Sequence, residues 1–161
     1  MDPGPCREKL GKLMAEELGS LSELAVLLDR EHEHLLANDV TALDGATRER
    51  QRCVARIIRV DEDRRSLCRE TGRSDDLQGL EQVLRWCDPQ GTLAAGWAQC
   101  SAAAANCRKL NDRNGALVGA RLQHVQARLG VLINGRREAV TYGPRGAYAL
   151  TGAGRVVATE A

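Results

Sequence analysis

The sequence TLAAGWAQCSAAAANCRKLNDRNGALVGARLQHVQARLGVLIN, residues 92–134, decides the fold. Leu93, Trp97, Cys100, Ala104, Cys107, Asn111, Asn114 and Val118 recur at spacings of four and three. After a step of four to Leu122 the line resumes at Val125, Leu129 and Leu132. This period predicts one long amphipathic helix whose narrow seam packs against other helices. At about 1.5 Å per residue it reaches about 60 Å. Asn111 and Asn114 stand on the seam where apolar residues are expected, and a buried Asn costs stability while fixing register. Asn114-Gly115 would ordinarily mark a turn. The periodicity passes through it, so the pair reads as a weak point in a continuous helix, costing about 1 kcal/mol against Ala.

Upstream, Leu10, Met14, Leu18, Leu21, Leu24, Ala25, Leu28 and Leu35 predict a first helix ending near Ala37, behind a short leader closed by Pro3 and Pro5. Either Thr41 or Asp39 caps a second helix running to about Thr71, with Gly72 as its stop. Its seam is Leu43, Ala46, Arg50, Cys53, Ile57, Val60, Arg64 and Leu67. The two arginines on it can lay their stems on the seam and send the guanidinium to water. The short connection between these helices predicts an antiparallel hairpin. Asp75 with Gln78 marks the start of a short helix carrying Leu77, Leu80, Leu84 and Cys87, broken by Asp88-Pro89-Gln90-Gly91. Thr92 is the expected N-cap of the long helix.

The expected fold is therefore all-α: an elongated antiparallel bundle of three long helices and one short one, residues 1–134, followed by a flexible tail, residues 135–161. The tail holds Gly135, Gly143, Gly146, Gly152, Gly154 and Pro144, yet also Val140, Tyr142, Tyr148, Leu150, Val156 and Val157. A mobile segment with both tyrosines of the protein reads as a ligand for a groove, ordered on binding.

Composition narrows the function classes. The chain has 161 residues, no Phe, 28% charged residues and a net charge of +1. Leu, Ala and Val must build the core, which suits a thin bundle. The near-neutral balance gives no bulk drive toward nucleic acid or a membrane surface. No apolar run approaches the ~20 residues of a membrane span, and the N-terminus lacks the basic and apolar regions of a signal peptide, so a cytoplasmic protein is expected. Cys6, Cys53, Cys68, Cys87, Cys100 and Cys107 contain no C-x-x-C pair and read as buried free thiols acting as small hydrophobes. Glu31-His32-Glu33-His34 is not H-E-x-x-H and reads as a solvated polar face rather than a metal site. Arg48, Arg52, Arg56 and Arg59 line one side of the second helix, as a solvated face or a surface for an acidic protein. No nucleophile elbow, P-loop or dinucleotide-binding glycine pattern occurs, so neither an enzyme nor a cofactor is expected.

The order Cys107-Arg108-Lys109-Leu110-Asn111-Asp112-Arg113-Asn114-Gly115, a Gln/Leu-containing helix, then Thr141-Tyr142-Gly143-Pro144-Arg145-Gly146 resembles the FlgN family of flagellar export chaperones. Leu35-Leu36-Ala37-Asn38-Asp39, the helix ending in Gly72, and Trp97 ahead of the asparagines extend the resemblance over most of the chain. The resemblance implies a cytoplasmic chaperone that binds the hook–filament junction proteins, prevents their premature association and delivers them to the type III export apparatus. The near-neutral charge and the absence of a long apolar run give the further expectation of no nucleic-acid partner and no stable membrane insertion. Client-binding residues are then expected at Val118, Leu122, Val125, Leu129 and Leu132, with Val140, Leu150, Val156 and Val157. Tyr142 matches the tyrosine of the family's Y-G motif, which is linked to docking at the export gate. The Asn111–Asn114 face reads as setting register, and the family resemblance implies that it helps to define a client groove; the two readings are compatible. Two other classes are a generic coiled-coil adaptor or structural oligomer subunit, and a nucleic-acid-binding regulator using the Arg stripe.

Overall fold

The computed structural model describes residues 2–140, 150–151 and 155–156, with side chains described as far as Val131 and at Ile133. The order is α1 Pro3–Ala37, α2 Val40–Glu70, α3 Leu77–Cys87, α4 Ala94–Val140, then β1 Leu150–Thr151 and β2 Arg155–Val156. The fold is all-α apart from the last two elements, which pair antiparallel with Leu150 opposite Val156. The chain divides into two compact units, Met1–Ala116 and Leu117–Ala161.

Local chemistry sets each boundary. α1 begins at Pro3, where a missing N–H costs nothing, so the two prolines open the helix rather than close a leader. Asn38 ends α1 in the left-handed region, φ 58°, which Asn tolerates better than most residues. Asp39, not Thr41, caps α2: its Oδ1 accepts from the Ala42 N–H at 2.9 Å. Gly72, φ 71°, supplies the left-handed residue after α2. At α3 the cap is Asp76, one residue beyond the expected Asp75, accepting from the Gly79 N–H at 2.8 Å and the Ser74 hydroxyl at 2.7 Å. This turn is tight enough that a Cβ on Gly79 would lie 1.7 Å from the Ser74 carbonyl oxygen. Before α4, Asp88 rather than Thr92 organises the chain. Its carboxylate accepts from the Thr92 hydroxyl at 2.6 Å and the Leu93 N–H at 2.7 Å.

In the first unit α1 and α2 form the antiparallel hairpin that their short connection requires, and α4 runs parallel to α1. The pairing of α1 with α4 is repetitive. The Cys100 thiol donates to the Met14 carbonyl at 3.3 Å, the Cys107 thiol to Leu21 at 3.2 Å, and the Asn114 amide to Leu28 at 2.8 Å. Each step is one heptad on both helices. Small donors at these three positions let the backbones approach and hold one register. Cys53 does the same from α2, donating to the Ser20 carbonyl at 3.1 Å.

Two apolar clusters fill the unit. The larger joins Leu10, Met14, Val60, Leu67, Leu80 and Val83 with Cys6, Cys68, Cys87 and Cys100, and packs against Trp86 and Trp97. The smaller is built on Leu21, Leu28 and Cys107. All six cysteines are free and buried. Burial first, and the neighbouring Cys6 next, push the Cys87 thiol up to about 11; burial likewise raises Cys53, Cys68, Cys100 and Cys107. Thiols held protonated at neutral pH can donate to carbonyls but are poor nucleophiles.

The seam of α4 differs from expectation at two places. Ala104 and Asn111 are exposed, and their neighbours Ala103 and Leu110 pack on the smaller cluster instead. Asn114 is in the interior, only 6% exposed, with its Oδ1 also 3.0 Å from His32 Nδ1. The seam arginines of α2 do not simply reach water. Arg50 Nε pairs with Glu31 at 3.0 Å, and Glu31 is 4% exposed, so the Glu31–His34 run is not a wholly solvated face. Arg64 pairs with Glu17 at 2.8 Å and with Asp61, and stacks 5.4 Å from the Trp97 ring.

Asn114→Ala removes a buried bond to a backbone carbonyl and should cost about 1–3 kcal/mol. Asn111→Ala should stay within about 0.5 kcal/mol. Urea unfolding midpoints of the two variants test this difference. Hydrogen bonds from Thr92 and the Leu93 N–H lower the Asp88 carboxyl, and those from Ser74 and the Gly79 N–H lower Asp76. Their stabilisation is present above the unfolded value of about 3.9 and is lost as pH falls through the lower folded value. The stability gap between the native sequence and Asp88→Asn should therefore shrink as pH drops from about 6 to below 3, read by urea denaturation across that range.

Candidate functional site

Past Ala116 the helical period continues with different consequences. Val118, Leu122, Val125 and Leu129 are 48, 57, 51 and 53% exposed. Their spacing of four, three and four places them on one stripe of α4. Single exposed aliphatics are ordinary, but four on one stripe form a patch of the kind that marks an interaction surface. The next residue in this register, Leu132, is also helical. Val131 and Ile133, exposed at 72 and 57%, enlarge the apolar surface at this end. Sequence periodicity passed over these two because they lie off the seam. The unbroken run Val131-Leu132-Ile133 was the available signal, since three consecutive residues cannot share one helix face.

Of the other expected site residues, Val140 is the last residue of α4, six past the expected helix end at Asn134. Leu150 and Val156 are brought together as partners across the β1–β2 ladder, inside the segment expected to be a flexible tail. Tyr142 and Val157 lie outside the described residues.

The first unit offers little chemistry. A cleft of about 120 Å³ is lined by Asp61, Arg64, Arg65, Cys68, Asp75 and Trp97, among others. Its charges serve one another: burial pushes the Asp61 carboxyl up, but bonds from Arg65 and Arg64 outweigh that and lower it. Within the Arg stripe of α2, Arg48 pairs with Asp44 and Arg56 with Glu23, while Arg52 and Arg59 face solvent. No group of three or more His, Cys, Asp or Glu able to hold a metal is assembled among the described residues. No helix among them is long and apolar enough to cross a membrane.

The family model described as FlgN protein matches residues 1–149. The chain belongs to the FlgN family. The match takes in both the bundle and the exposed stripe of α4, so the resemblance carried by Leu110-Asn111-Asp112-Arg113-Asn114-Gly115 extends across both regions. FlgN-family proteins are flagellar export chaperones, binding proteins rather than enzymes, and the family implies that this chain binds flagellar export substrates. No curated protein and no solved structure matches the chain.

Because the stripe is exposed, Leu122→Ser and Leu129→Ser should each leave stability within about 0.5 kcal/mol of the native chain. Leu67→Ala, at a fully buried position of the larger cluster, should cost about 2–5 kcal/mol. Thermal and urea melts of the three variants check the contrast.

Proposed function

We propose that this FlgN-family chain is a cytoplasmic chaperone for the hook–filament junction proteins, covering their assembly segments until export. The observation that carries this reading is the stripe Val118, Leu122, Val125 and Leu129, four aliphatic side chains about half exposed in heptad register. A narrow seam of this kind fits one amphipathic helix, buried by knobs-into-holes packing. Junction proteins pair through terminal segments when assembled, and such segments expose apolar surface beforehand. Occupying that surface blocks premature association.

Leu132 extends the stripe by its register. Val140, Leu150, Val156 and Val157 add contacts from the C-terminal segment, residues 135–161, which acts separately from the 1–134 bundle. Tyr142, matching the family's Y-G motif, docks the loaded chaperone at the export apparatus. Ordering a segment on binding lowers net affinity, which suits a client that must be released.

Co-elution with each junction protein, using the full chain, a chain ending at Val140, and Leu122→Ser/Leu129→Ser, tests the reading. A discrete complex is expected with the full chain and should be lost in the double variant. A complex that survives truncation but not the double variant assigns binding to the stripe alone. No complex with either junction protein, together with a stable homo-oligomer broken by the double variant, would replace the chaperone by a coiled-coil structural subunit.

A further inference from the structure

Charge along the exposed half of α4 is one-sided. Arg121, Arg128, Arg136 and Arg137 occur there, and no Asp or Glu precedes Glu138. The placement matters more than the tally. With Leu122 and Leu129 as a positions and Val118 and Val125 as d positions, Arg121 and Arg128 both fall at g, directly beside the seam. The e positions are Gly119, Gln126 and Ile133. In paired helices, e and g residues flank the apolar seam and choose the partner by charge. Arg121 is half-buried and Arg128 exposed.

We infer that the seam is built for a helix carrying Asp or Glu beside its own apolar stripe, with Arg121 and Arg128 as the residues that select it. This rests on the stripe being the client surface. A second copy of α4 is a poor occupant. Packed parallel, Arg121 meets Gln126 and Arg128 meets Ile133, so neither finds an acid; packed antiparallel, arginine meets arginine. The chain's own segment beyond α4, residues 141–161, is no better, since it brings Arg145 and Arg155 and only Glu160 as an acidic side chain. An anionic bilayer shares the charge logic but calls for a broad apolar face rich in large side chains. Here the stripe is narrow, without an aromatic, and flanked at one e position by Gly119, which adds no apolar side chain.

Full-length protein, Arg128→Glu and Arg121→Glu/Arg128→Glu are titrated by calorimetry with purified junction proteins and with two designed peptides. The peptides share a Leu seam and differ only in Glu or Lys at e and g. Circular dichroism first confirms that each variant is helical, and the exposed Arg128→Glu stands alone if the double variant is not. The native chain should bind the Glu peptide at least about tenfold more tightly than the Lys peptide. Junction-protein binding should weaken about tenfold in the variants and several-fold between about 0.05 and 0.5 M NaCl. Junction-protein binding that shifts less than about twofold under both changes would overturn the charge inference while leaving the chaperone reading intact. Selective binding of the Glu peptide without any junction-protein complex supports the charge inference and sinks the client assignment. Equal peptide affinities, or sedimentation with phosphatidylglycerol vesicles that Arg128→Glu abolishes without peptide discrimination, would overturn it, the latter in favour of a lipid surface.

Discussion

The closeness of α4 to α1 is the constraint on which the bundle depends. Cys100, Cys107 and Asn114 each reach a backbone carbonyl of α1, at Met14, Leu21 and Leu28. A large side chain at any of these positions would force the helices apart, and an apolar one of the same size would give up the bond. The three donors are not equal. A thiol is a weak donor, whereas the Asn114 amide makes a conventional bond in a site with little access to water. Cysteine therefore contributes mainly its size and its apolar surface. Asn114, close to the boundary of the first unit at Ala116, contributes directionality. A one-heptad slip would offer its amide another backbone carbonyl but part its Oδ1 from His32, so the side-chain contact is what reads the register.

Charged residues reinforce that register from the α2 side. Glu31 and Arg50 meet where the hairpin is covered by α4, and Arg64 ties Glu17 and Asp61 beside Trp97. Buried or half-buried pairs of this type add little net stability, because desolvation offsets attraction. Their effect is on alternatives. Sliding α2 along α1 by one turn would leave Glu31 buried without its partner, a larger loss than the pair ever contributes. Apolar clusters thus supply the stability while the polar contacts select one arrangement among several that would bury similar area.

The helices were legible because their burial is periodic. Cys53, Val60 and Leu67 on α2, and Met14, Leu21 and Leu28 on α1, occupy the interior as the heptad demands. The misassignments have a shared cause. Between Cys100 and Cys107 a step of three or four is equally compatible with the period, and Ala103 and Ala104 are identical in chemistry. Choosing four led the line to Asn111 instead of Leu110. Adjacent carboxylates create the same ambiguity at Asp75 and Asp76, resolved by the close approach of Gly79 to Ser74 within the turn, which is local geometry and not periodic. The candidate site was legible only by half. Period alone placed Val118 through Leu129 on one stripe, but cannot say whether a neighbour covers it. The flanking arginines became meaningful once that stripe was known to be exposed.

The two tryptophans carry a consequence for optical work on this chain. Trp86 and Trp97 both pack on the larger cluster, under Arg73 and Arg64 respectively. The rest of the described chain contains no aromatic side chain. Tryptophan emission, excited apart from that of Tyr142 and Tyr148, is therefore a local gauge of one end of the bundle, blind to fraying around Leu28 and Asn114. A melt followed at that wavelength and one followed by helical ellipticity report on different parts of the same molecule. Their coincidence or divergence measures how far cooperativity spreads from the tryptophan end.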